Sequence, residues 1–338
     1  MTQQRRSVRA AVFSAGSWGT AVAKILADAG TDVIVHARRS EIADAINTVH
    51  RNPGYFPDVE LPFSVTATTD PAAALDGVDF LVLSIPAQSL RASLATWAPH
   101  IGPDTVIVSL MKGIEVGSGL RASQVITEMT GLPAERVAVL SGPNLAREIM
   151  AGQPAAATVA CPDEDAARRF QAACHTPYFR PYTSTDVIGC ELGGAVKNVI
   201  ALAVGIAAGM GLGDNATAML ITRGLAEATR LATAMGAHPA TLAGLSGVGD
   251  LVATCSSPLS RNRTFGVHLG RGLSVAEATA ATRQTTEGVK SAEAILALAH
   301  SHGVEMPITD VMSALLTEKI TLDEAAAALM QRPPKPER

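Results

Sequence analysis

The hydrophobic positions in the first half of the chain form short, continuously apolar runs separated by longer amphipathic stretches. Such runs are typical of strands in a parallel sheet whose two faces are both covered. Six strands are predicted, at Arg9–Phe13, Asp32–Ala37, Asp79–Pro86, Thr105–Leu110, Arg136–Leu140 and Ala156–Ala160. Helices are predicted between the first strands, at Thr20–Ala29, Ser40–Asn47, Pro71–Leu75 and Gln88–Trp97. The alternation indicates the α/β class with a Rossmann-like doubly wound sheet.

The pattern changes near Thr183–Asp186, beyond which hardly any strand is predicted. The later periodicity predicts helices at Ile188–Ala208, Asn215–Met235, Val275–Ala281, Ser291–His302, Ile308–Glu318 and Leu322–Met330. We therefore expect a nucleotide-binding Rossmann domain over residues 1–186 and an all-helical substrate domain over 187–332. The crevice between the two domains is the expected place of an active site. The proline-rich residues 333–338 are predicted to be disordered.

Composition excludes several classes of protein. The 338 residues suffice for two domains, and a net charge of −4 with 4% aromatic residues predicts no nucleic-acid partner. The longest apolar run, Val199–Leu212, is interrupted by glycines and too short to span a bilayer, so no membrane insertion is expected. Without C-x-x-C spacing, the cysteines indicate a reduced, cytoplasmic protein, and the scattered histidines indicate no metal site.

The segment Ser14–Gly19 (SAGSWG) follows the first predicted strand and precedes the first predicted helix. A strand that turns through glycines into a helix N-terminus is how proteins hold the pyrophosphate of a dinucleotide. Gly16 permits close approach to phosphate, and Gly19 lets the helix pack on the strand. The fingerprint has glycine where this chain has Ser14. A Cβ there is expected to strain the turn and, at worst, to reduce cofactor affinity.

The second predicted strand ends in Arg38 and Arg39, with no carboxylate to bind a ribose 2′-hydroxyl. Two guanidinium groups suit a 2′-phosphate, because their fork geometry matches phosphate oxygens. A solvated arginine pair on a loop is the alternative. The pair favours NADP as the cofactor, with NAD also usable.

Two lysines are candidates for chemistry. Lys112 follows an apolar strand at its carboxyl end, where sheets of this class bind ligands, although an exposed loop lysine is the alternative. Lys197 lies in the most apolar predicted helix, where desolvation and a second cation would lower its pKa towards neutrality. That pKa suits a general acid or base acting on an alcohol or ketone. The alternative is a lysine that reaches water along the helix surface.

Several polar groups stand on turns. Asp250 is either the cap of a helix or the partner of a lysine or substrate hydroxyl. Ser260–Arg263 (SRNR) is either a solvated turn or a phosphate-binding set. Gly142 and Asn144 follow the fifth predicted strand and could meet substrate oxygens, whereas Glu287 either accepts from a ribose or caps a helix.

Six ordered motifs are spread over both predicted domains. They are Ala15–Ala21, Ser109–Gly113, Leu140–Asn144, Glu191–Asn198, Gly247–Leu251 and Ser260–Arg263. With these motifs the chain resembles the bacterial NAD(P)-dependent glycerol-3-phosphate dehydrogenase family along nearly its whole length. The family reduces dihydroxyacetone phosphate to sn-glycerol 3-phosphate, reversibly, for glycerophospholipid synthesis. The resemblance thus implies a small-molecule phosphate substrate and a helical second domain.

The resemblance also implies residue roles. Lys197 would accept the proton when glycerol 3-phosphate is oxidised and donate it in the reverse direction, with Lys112 and Asp250 beside it. Besides Gly16 and Gly19, the implied cofactor contacts are Ser17, Trp18, Arg38, Arg39, Lys112, Ala146, Arg261, Thr285 and Glu287. The implied substrate contacts are Lys112, Gly142, Asn144, Lys197, Asp250, Ser260, Arg261 and Asn262. Thr285 departs from the family, where a bulkier aliphatic residue is expected.

Two other readings of the sequence compete with this one. Two-domain hydroxyacid dehydrogenases of the 6-phosphogluconate or 3-hydroxyisobutyrate type also place a lysine on a helix after a Rossmann domain. A non-catalytic NADP-binding redox sensor would show no turnover with any ketone. Retention of Lys112, Lys197 and Asp250 argues against the sensor, and the Ser260–Arg263 set argues for a small phosphorylated substrate. For the assembly we expect a homodimer, because many such dehydrogenases pair through their helical domains.

Overall fold

The structure is a computed structural model that describes residues 7–282 and 287–330. It divides into two compact units. The first comprises Met1–Met111 and Leu120–Glu191, and the second comprises Lys112–Gly119 and Leu192–Arg338. The short segment Lys112–Gly119 therefore belongs to the second unit, although the residues on both sides of it in the sequence belong to the first.

The first unit is built on one eight-stranded sheet. Its strands are β1 (Arg9–Phe13), β2 (Asp32–His36), β3 (Val65–Thr68), β4 (Phe80–Leu83), β5 (Val106–Ser109), β6 (Val137–Ser141), β7 (Ala155–Ala160) and β8 (Phe179–Ser184). The strand order is β3-β2-β1-β4-β5-β6-β7-β8. The strands from β3 to β6 are parallel, β7 is antiparallel to β6, and β8 is parallel to β7. The predicted doubly wound fold is confirmed, with its switch in strand order between β1 and β4, where such folds bind ligands.

Helices cover both faces of this sheet. They are α1 (Ser17–Asp28), α2 (Ser40–Val49), α3 (Pro71–Leu75), α4 (Leu90–Trp97), α5 (Ala122–Thr130), α6 (Ala146–Met150) and α7 (Glu164–Cys174). Ala10 and Val12 of β1 belong to one buried apolar cluster, whereas Ala11 and Phe13 belong to another. Because successive side chains of a strand point to opposite faces, this division shows why the strand is apolar throughout.

Two strands escaped sequence-based prediction, and both lie at the edges of the sheet. In β3, Val65 and Ala67 are buried whereas Thr66 is exposed, so the strand lacks a continuous apolar run. The strand β8 contains Pro181, which an edge strand tolerates because one side of it needs no ladder partner. The apolar-run criterion finds strands buried on both faces and misses those at an edge.

The second unit is helical. Its helices are α8 (Val187–Gly209, which begins in the first unit), α9 (Asp214–Ala234), α10 (Pro239–Leu242), α11 (Asp250–Ser256), α12 (Arg261–Gly270), α13 (Val275–Thr282), α14 (Glu287–Ser301), α15 (Pro307–Leu316) and α16 (Leu322–Met330). Within the described residues no strand follows Ser184, which confirms the predicted change to helices. The structure corrects two predicted turns, because Asp250 and Arg261 begin α11 and α12.

Helix α8 is a core helix. Its length and composition would allow it to cross a membrane, with a mean hydropathy of 1.6 over its most apolar window. However, 89% of that window is buried inside the protein. The apolar surface of α8 is therefore covered by the protein itself, as the sequence predicted for this run.

Glycines bring α8 and α12 into backbone contact. A Cβ added at Gly205 of α8 would lie 2.1 Å from the carbonyl oxygen of Arg263. A Cβ at Gly266 of α12 would lie 2.2 Å from the carbonyl oxygen of Leu202. Gly209 and Gly270 repeat this close approach one turn further along. Small residues spaced by four let helix axes approach closely, and here they hold the second half of α12 against the carboxyl-terminal end of α8.

We expect Gly266→Ala to lower the Tm of the protein by about 4–10 °C, because the added methyl group meets backbone that cannot rotate away. Gly213→Ala is the matched control, since, its chain neighbours apart, no heavy atom of the described residues lies within 4 Å of a Cβ at that position. Thermal melting followed by circular dichroism measures both variants. Equal Tm values for the two would show that α8 and α12 do not depend on this contact.

Candidate active site

Two lysines of the second unit share one carboxylate. Nζ of Lys197 donates to Oδ1 of Asp250 at 2.5 Å, and Nζ of Lys112 donates to Oδ2 at 2.7 Å. Asp250 is 1% exposed and Lys197 is 7% exposed. The three predicted catalytic residues are therefore brought together, although they are far apart in the sequence. A solvated lysine at position 197 is excluded by its burial.

Close backbone packing explains how Asp250 reaches Lys197. The π-helical segment Leu245–Gly249 directly precedes Asp250. A Cβ at Gly193 would lie 2.4 Å from the carbonyl oxygen of Ser246, so this segment presses against α8. Gly193 precedes Lys197 by four residues and Ser246 precedes Asp250 by four, so the contact is one helical turn before the ion pair. A π-turn of this kind is frequent at functional sites.

Burial changes the acidity of Lys197. Desolvation is the largest cause and lowers its pKa from 10.5 to about 8, because it disfavours the charged form. The Asp250 carboxylate opposes this shift, and the nearby Lys112 ammonium adds to it. Lys197 is thus a group that can exchange a proton near neutral pH while it keeps a fixed hydrogen-bond partner.

Two polar residues that the sequence analysis did not single out complete this cluster. Thr254 lies one turn after Asp250 on α11, and its Oγ1 accepts from Nζ of Lys197 at 2.8 Å. Asn198 donates from Nδ2 to the carbonyl oxygen of Lys112 at 3.0 Å, which fixes the backbone that carries the second lysine. The i,i+4 spacing of Asp250 and Thr254 was a signal that could have been read once α11 was recognised as a helix.

The phosphate-binding candidates lie at the start of α12. Nδ2 of Asn262 donates to Oδ1 of Asn198 at 3.0 Å, so this end of α12 is connected to the residue that follows Lys197. Oγ of Ser260 caps α12 by accepting from the N–H of Arg263 at 3.3 Å. Arg261 is exposed, whereas Ser260 and Asn262 are buried. The solvated-turn alternative is thereby excluded for two of the three residues.

In the first unit, the glycine turn joins β1 to α1 as predicted. Gly16 is the N-cap of α1, and its carbonyl oxygen accepts the first helical hydrogen bond from Thr20. The indole Nε1 of Trp18 is buried and has no hydrogen-bond partner among the described residues. A Cβ at Gly19 would lie 2.1 Å from the carbonyl oxygen of Ser14, so only glycine fits there. Ser14 itself has a φ of 132°, which confirms the predicted strain.

Arg38 and Arg39 are exposed after β2, where the sequence placed them. Arg39 precedes α2 as its N-cap residue, and one of its terminal nitrogens lies 3.5 Å from a Cβ built on Gly54. The loop that carries Gly54 is anchored by Asn52, which is fully buried. Nδ2 of Asn52 donates to the carbonyl oxygen of Ala15 at 2.8 Å. This residue, which the sequence analysis missed, therefore ties the loop beside Arg39 to the glycine turn.

The segment after β6 contains Gly142, Asn144 and Ala146. Gly142 has a φ of 145°, and a Cβ there would lie 3.0 Å from Cα of Ala157, so the backbone itself requires glycine. The side-chain Nδ2 and Oδ1 of Asn144 are both buried and have no hydrogen-bond partner in the described part of the chain. Ala146 and Trp18 pack against the same apolar cluster. An unpartnered buried amide is costly, so the side chain of Asn144 is suited to bind a ligand.

Thr285 and the side chain of Glu287 lie outside the described residues, as do residues 333–338. Glu287 is the first residue of α14. The predicted roles of these residues stay predictions. Among the described residues, no group of three or more histidines, cysteines or acidic residues is arranged to hold a metal ion.

Two family models together match most of the chain. Residues 9–167 match the family model of the NAD-dependent glycerol-3-phosphate dehydrogenase N-terminus, and residues 186–327 match that of the C-terminus. A protein of Streptomyces griseus named glycerol-3-phosphate dehydrogenase (NAD(P)+) is 63% identical over 331 residues, covering 98% of each chain. A Nocardia farcinica protein of the same name is 61% identical over 335 residues, covering 97% of this chain and 99% of its own.

A solved structure agrees with these relatives. The crystal structure of glycerol-3-phosphate dehydrogenase from Coxiella burnetii is 36% identical, with a TM-score of 0.91, and the match covers 96% of this chain and 99% of that one. Full-length identity near 60% and a matching fold agree with the six motifs read from the sequence, rather than with the hydroxyacid dehydrogenase alternative. The chain therefore belongs to the NAD(P)-dependent glycerol-3-phosphate dehydrogenase family.

Proposed function

We propose that the chain transfers hydride reversibly between NAD(P) and the pair dihydroxyacetone phosphate and sn-glycerol 3-phosphate, with Lys197 exchanging the proton. The observation that carries the proposal is the buried ammonium of Lys197, paired with Asp250 and lowered in pKa to about 8. Asp250 and Thr254 use two of its three N–H donors. The third donor has no partner among the described residues and is free for a substrate oxygen.

Each member of the cluster has a distinct task in ketone reduction. The C2 oxygen gains negative charge as the reaction proceeds, and Lys197 gives that oxygen its proton. Lys112 adds a second positive charge, which stabilises the developing negative charge. Asp250 holds both ammonium groups in place, and its charge keeps Lys197 protonated in a buried position that favours the neutral amine. In alcohol oxidation, neutral Lys197 accepts the proton.

The start of α12 suits the phosphate of the substrate. The exposed guanidinium of Arg261 is the anchor, because it can donate two parallel hydrogen bonds to phosphate oxygens. Ser260 and Asn262 are buried beside it and have defined positions, the first as a helix cap and the second through Asn198. Anchoring of the phosphate would fix the carbonyl relative to Lys197. Gly142 and Asn144 of the first unit are proposed as further substrate contacts.

The first unit fits a dinucleotide. Its turn offers the N-terminus of α1 to the pyrophosphate, and the unpartnered indole N–H of Trp18 is available to a ligand. The proposed cofactor contacts in the first unit are Gly16, Ser17, Trp18, Gly19 and Ala146. The proposed contacts from the second unit are Lys112 and Arg261. When bound, the cofactor supplies the hydride. Arg38 and Arg39 favour NADP, because they would meet the 2′-phosphate.

The physiological direction that we propose is reduction of dihydroxyacetone phosphate, which supplies sn-glycerol 3-phosphate for glycerophospholipid synthesis. Cys161, Cys174, Cys190 and Cys255 are buried, and no disulfide joins them in the described part of the chain, which suits a reduced cytoplasm. A homodimer remains the prediction for the assembly.

We expect Lys197→Met to lower kcat for dihydroxyacetone phosphate reduction by about 10²–10⁴-fold, which is the usual contribution of a general acid. The Kd for NADPH should change by less than about threefold, since Lys197 is assigned to the proton transfer and not to the cofactor. Turnover is followed by NADPH absorbance, and Kd by titration. Lys319→Met, at an exposed position, is the matched control. Near-normal turnover by Lys197→Met would remove Lys197 from the role.

The pH profile should report the titration of Lys197. Reduction needs protonated Lys197, so kcat/KM for dihydroxyacetone phosphate should be constant below a pH of about 8 and fall as pH rises through it. Oxidation needs neutral Lys197, so kcat/KM for glycerol 3-phosphate should rise through the same pH. Asp250→Asn removes the group that raises this pKa, and the break should move to lower pH. Profiles without a break, or a break displaced upwards in Asp250→Asn, would contradict the assignment.

The double variant Arg38→Ala/Arg39→Ala tests the cofactor preference. We expect its KM for NADPH to rise by about tenfold or more, because charged hydrogen bonds to the 2′-phosphate are lost. Its KM for NADH should change by less than about threefold, since NADH has a hydroxyl there. Arg168→Ala removes an exposed arginine from α7 as the control. Equal changes for the two cofactors would show that the pair does not select NADP.

A further inference from the structure

The strained backbone of Ser14 is the starting point. Three non-glycine residues of the described chain have positive φ, namely Ser14, His50 and Glu318. His50 and Glu318 have φ values of 49° and 56°, in the left-handed helical region that polar residues visit. Ser14, with a φ of 132°, lies far outside that region, where glycine is the usual residue. The chain therefore carries a Cβ at a position of the turn whose backbone conformation favours glycine.

The surrounding structure prevents this strain from relaxing. The carbonyl oxygen of Ser14 would lie 2.1 Å from a Cβ on Gly19, so it already touches the backbone of α1. On the other side, the N–H of Ser84 donates to the carbonyl oxygen of Phe13 at 3.1 Å. Rotation of Ser14 towards an ordinary φ would disturb both contacts. Strain held in this way concentrates at sites where it serves a function.

The hydroxyl group of Ser14 occupies a donor of the turn. Its Oγ accepts from the N–H of Gly16 at 3.1 Å. Gly16 is the N-cap of α1, so its N–H belongs to the positive end of the helix. Because Oγ faces that N–H, the hydroxyl hydrogen must point away from it. This O–H donor has no acceptor among the described residues.

We propose that the Ser14 hydroxyl is a direct ligand of the cofactor pyrophosphate. It accepts from the Gly16 N–H and donates its own O–H to a phosphate oxygen. With glycine at position 14, the Gly16 N–H would be exposed to the phosphate, and the Ser14 hydroxyl takes its place as the donor. The inference rests on the proposed binding of the cofactor by this turn. It reverses the expectation that Ser14 reduces cofactor affinity: the strain is present in the free protein, and the added donor contributes only when the anion is bound.

Three variants separate strain from ligation. Ser14→Ala keeps the Cβ and loses the hydroxyl, whereas Ser14→Gly loses both and exposes the Gly16 N–H. Ser64→Ala is the control, because it removes an exposed hydroxyl just before β3, at the amino ends of the parallel strands, whereas the turn lies at the carboxyl end of β1. For the full-length chain, the Tm without cofactor and the Kd for NADPH, ADP-ribose and adenosine 2′-monophosphate are measured, the last of these lacking a pyrophosphate.

Ser14→Ala should weaken NADPH and ADP-ribose binding by about tenfold, as expected for one hydrogen bond to a charged group, and leave adenosine 2′-monophosphate unchanged. Ser14→Gly should raise the Tm of the free protein by about 2–6 °C and bind NADPH with a Kd between those of wild type and Ser14→Ala. Ser64→Ala should match wild type in every Kd.

The opposite results overturn the inference. Equal or tighter NADPH binding by Ser14→Ala would show that the hydroxyl is a bystander or competes with phosphate for the Gly16 N–H. Equal weakening for all three probes would show a general distortion of the domain. In either case the proposed function stands as long as wild type binds NADPH and reduces dihydroxyacetone phosphate with it. If wild type binds neither NADPH nor ADP-ribose, the assignment of the cofactor to this turn fails as well.

Discussion

The buried carboxylate of Asp250 is the group on which the two-lysine cluster of the second unit depends. A single carboxylate at 1% exposure would be strongly destabilising without partners, and two ammonium groups at 2.5 and 2.7 Å supply them. The arrangement is not symmetric. Lys197 is almost as buried as the carboxylate, so desolvation lowers its pKa to about 8, and the positive charge of Lys112 contributes to this lowering. Burial thus brings the pKa of Lys197 closer to neutrality, whereas the Asp250 carboxylate stabilises its ammonium form.

This cluster exists because three backbones approach more closely than side chains would allow. Gly193 admits the carbonyl oxygen of Ser246, and Gly205 and Gly266 bring α8 and α12 together. The first contact carries Asp250 to Lys197, and the second carries Asn262 to Asn198. The polar groups of the site are therefore fixed by packing several residues away. Such positioning by rigid elements is what a proton transfer with defined geometry requires.

In the glycine turn of the first unit, a missing Cβ again permits a close backbone contact. Gly19 is needed because the carbonyl oxygen of Ser14 touches α1, and this contact in turn holds Ser14 at a φ of 132°. A local departure from the dinucleotide fingerprint therefore does not abolish the turn. It leaves a hydroxyl group at the N-terminus of a twelve-residue helix, where an anion is stabilised by the aligned peptide dipoles.

The sequence by itself determined the fold class and the strands buried on both faces, because burial on both faces requires a continuous run of apolar residues. It also identified the two lysines, because a lone charged residue in or beside an apolar run is recognisable. It also marked the glycine turn and the arginines after β2. Edge strands such as β3 and the helices α11 and α12 escaped it, because their alternation is weak or their sequence reads as a turn. Only the tertiary structure placed Thr254, Asn198 and Asn52 in the sites, since their roles depend on hydrogen bonds between elements distant in sequence. Local patterns record which face of an element is buried, whereas the choice of partner is decided by how closely backbones can pack.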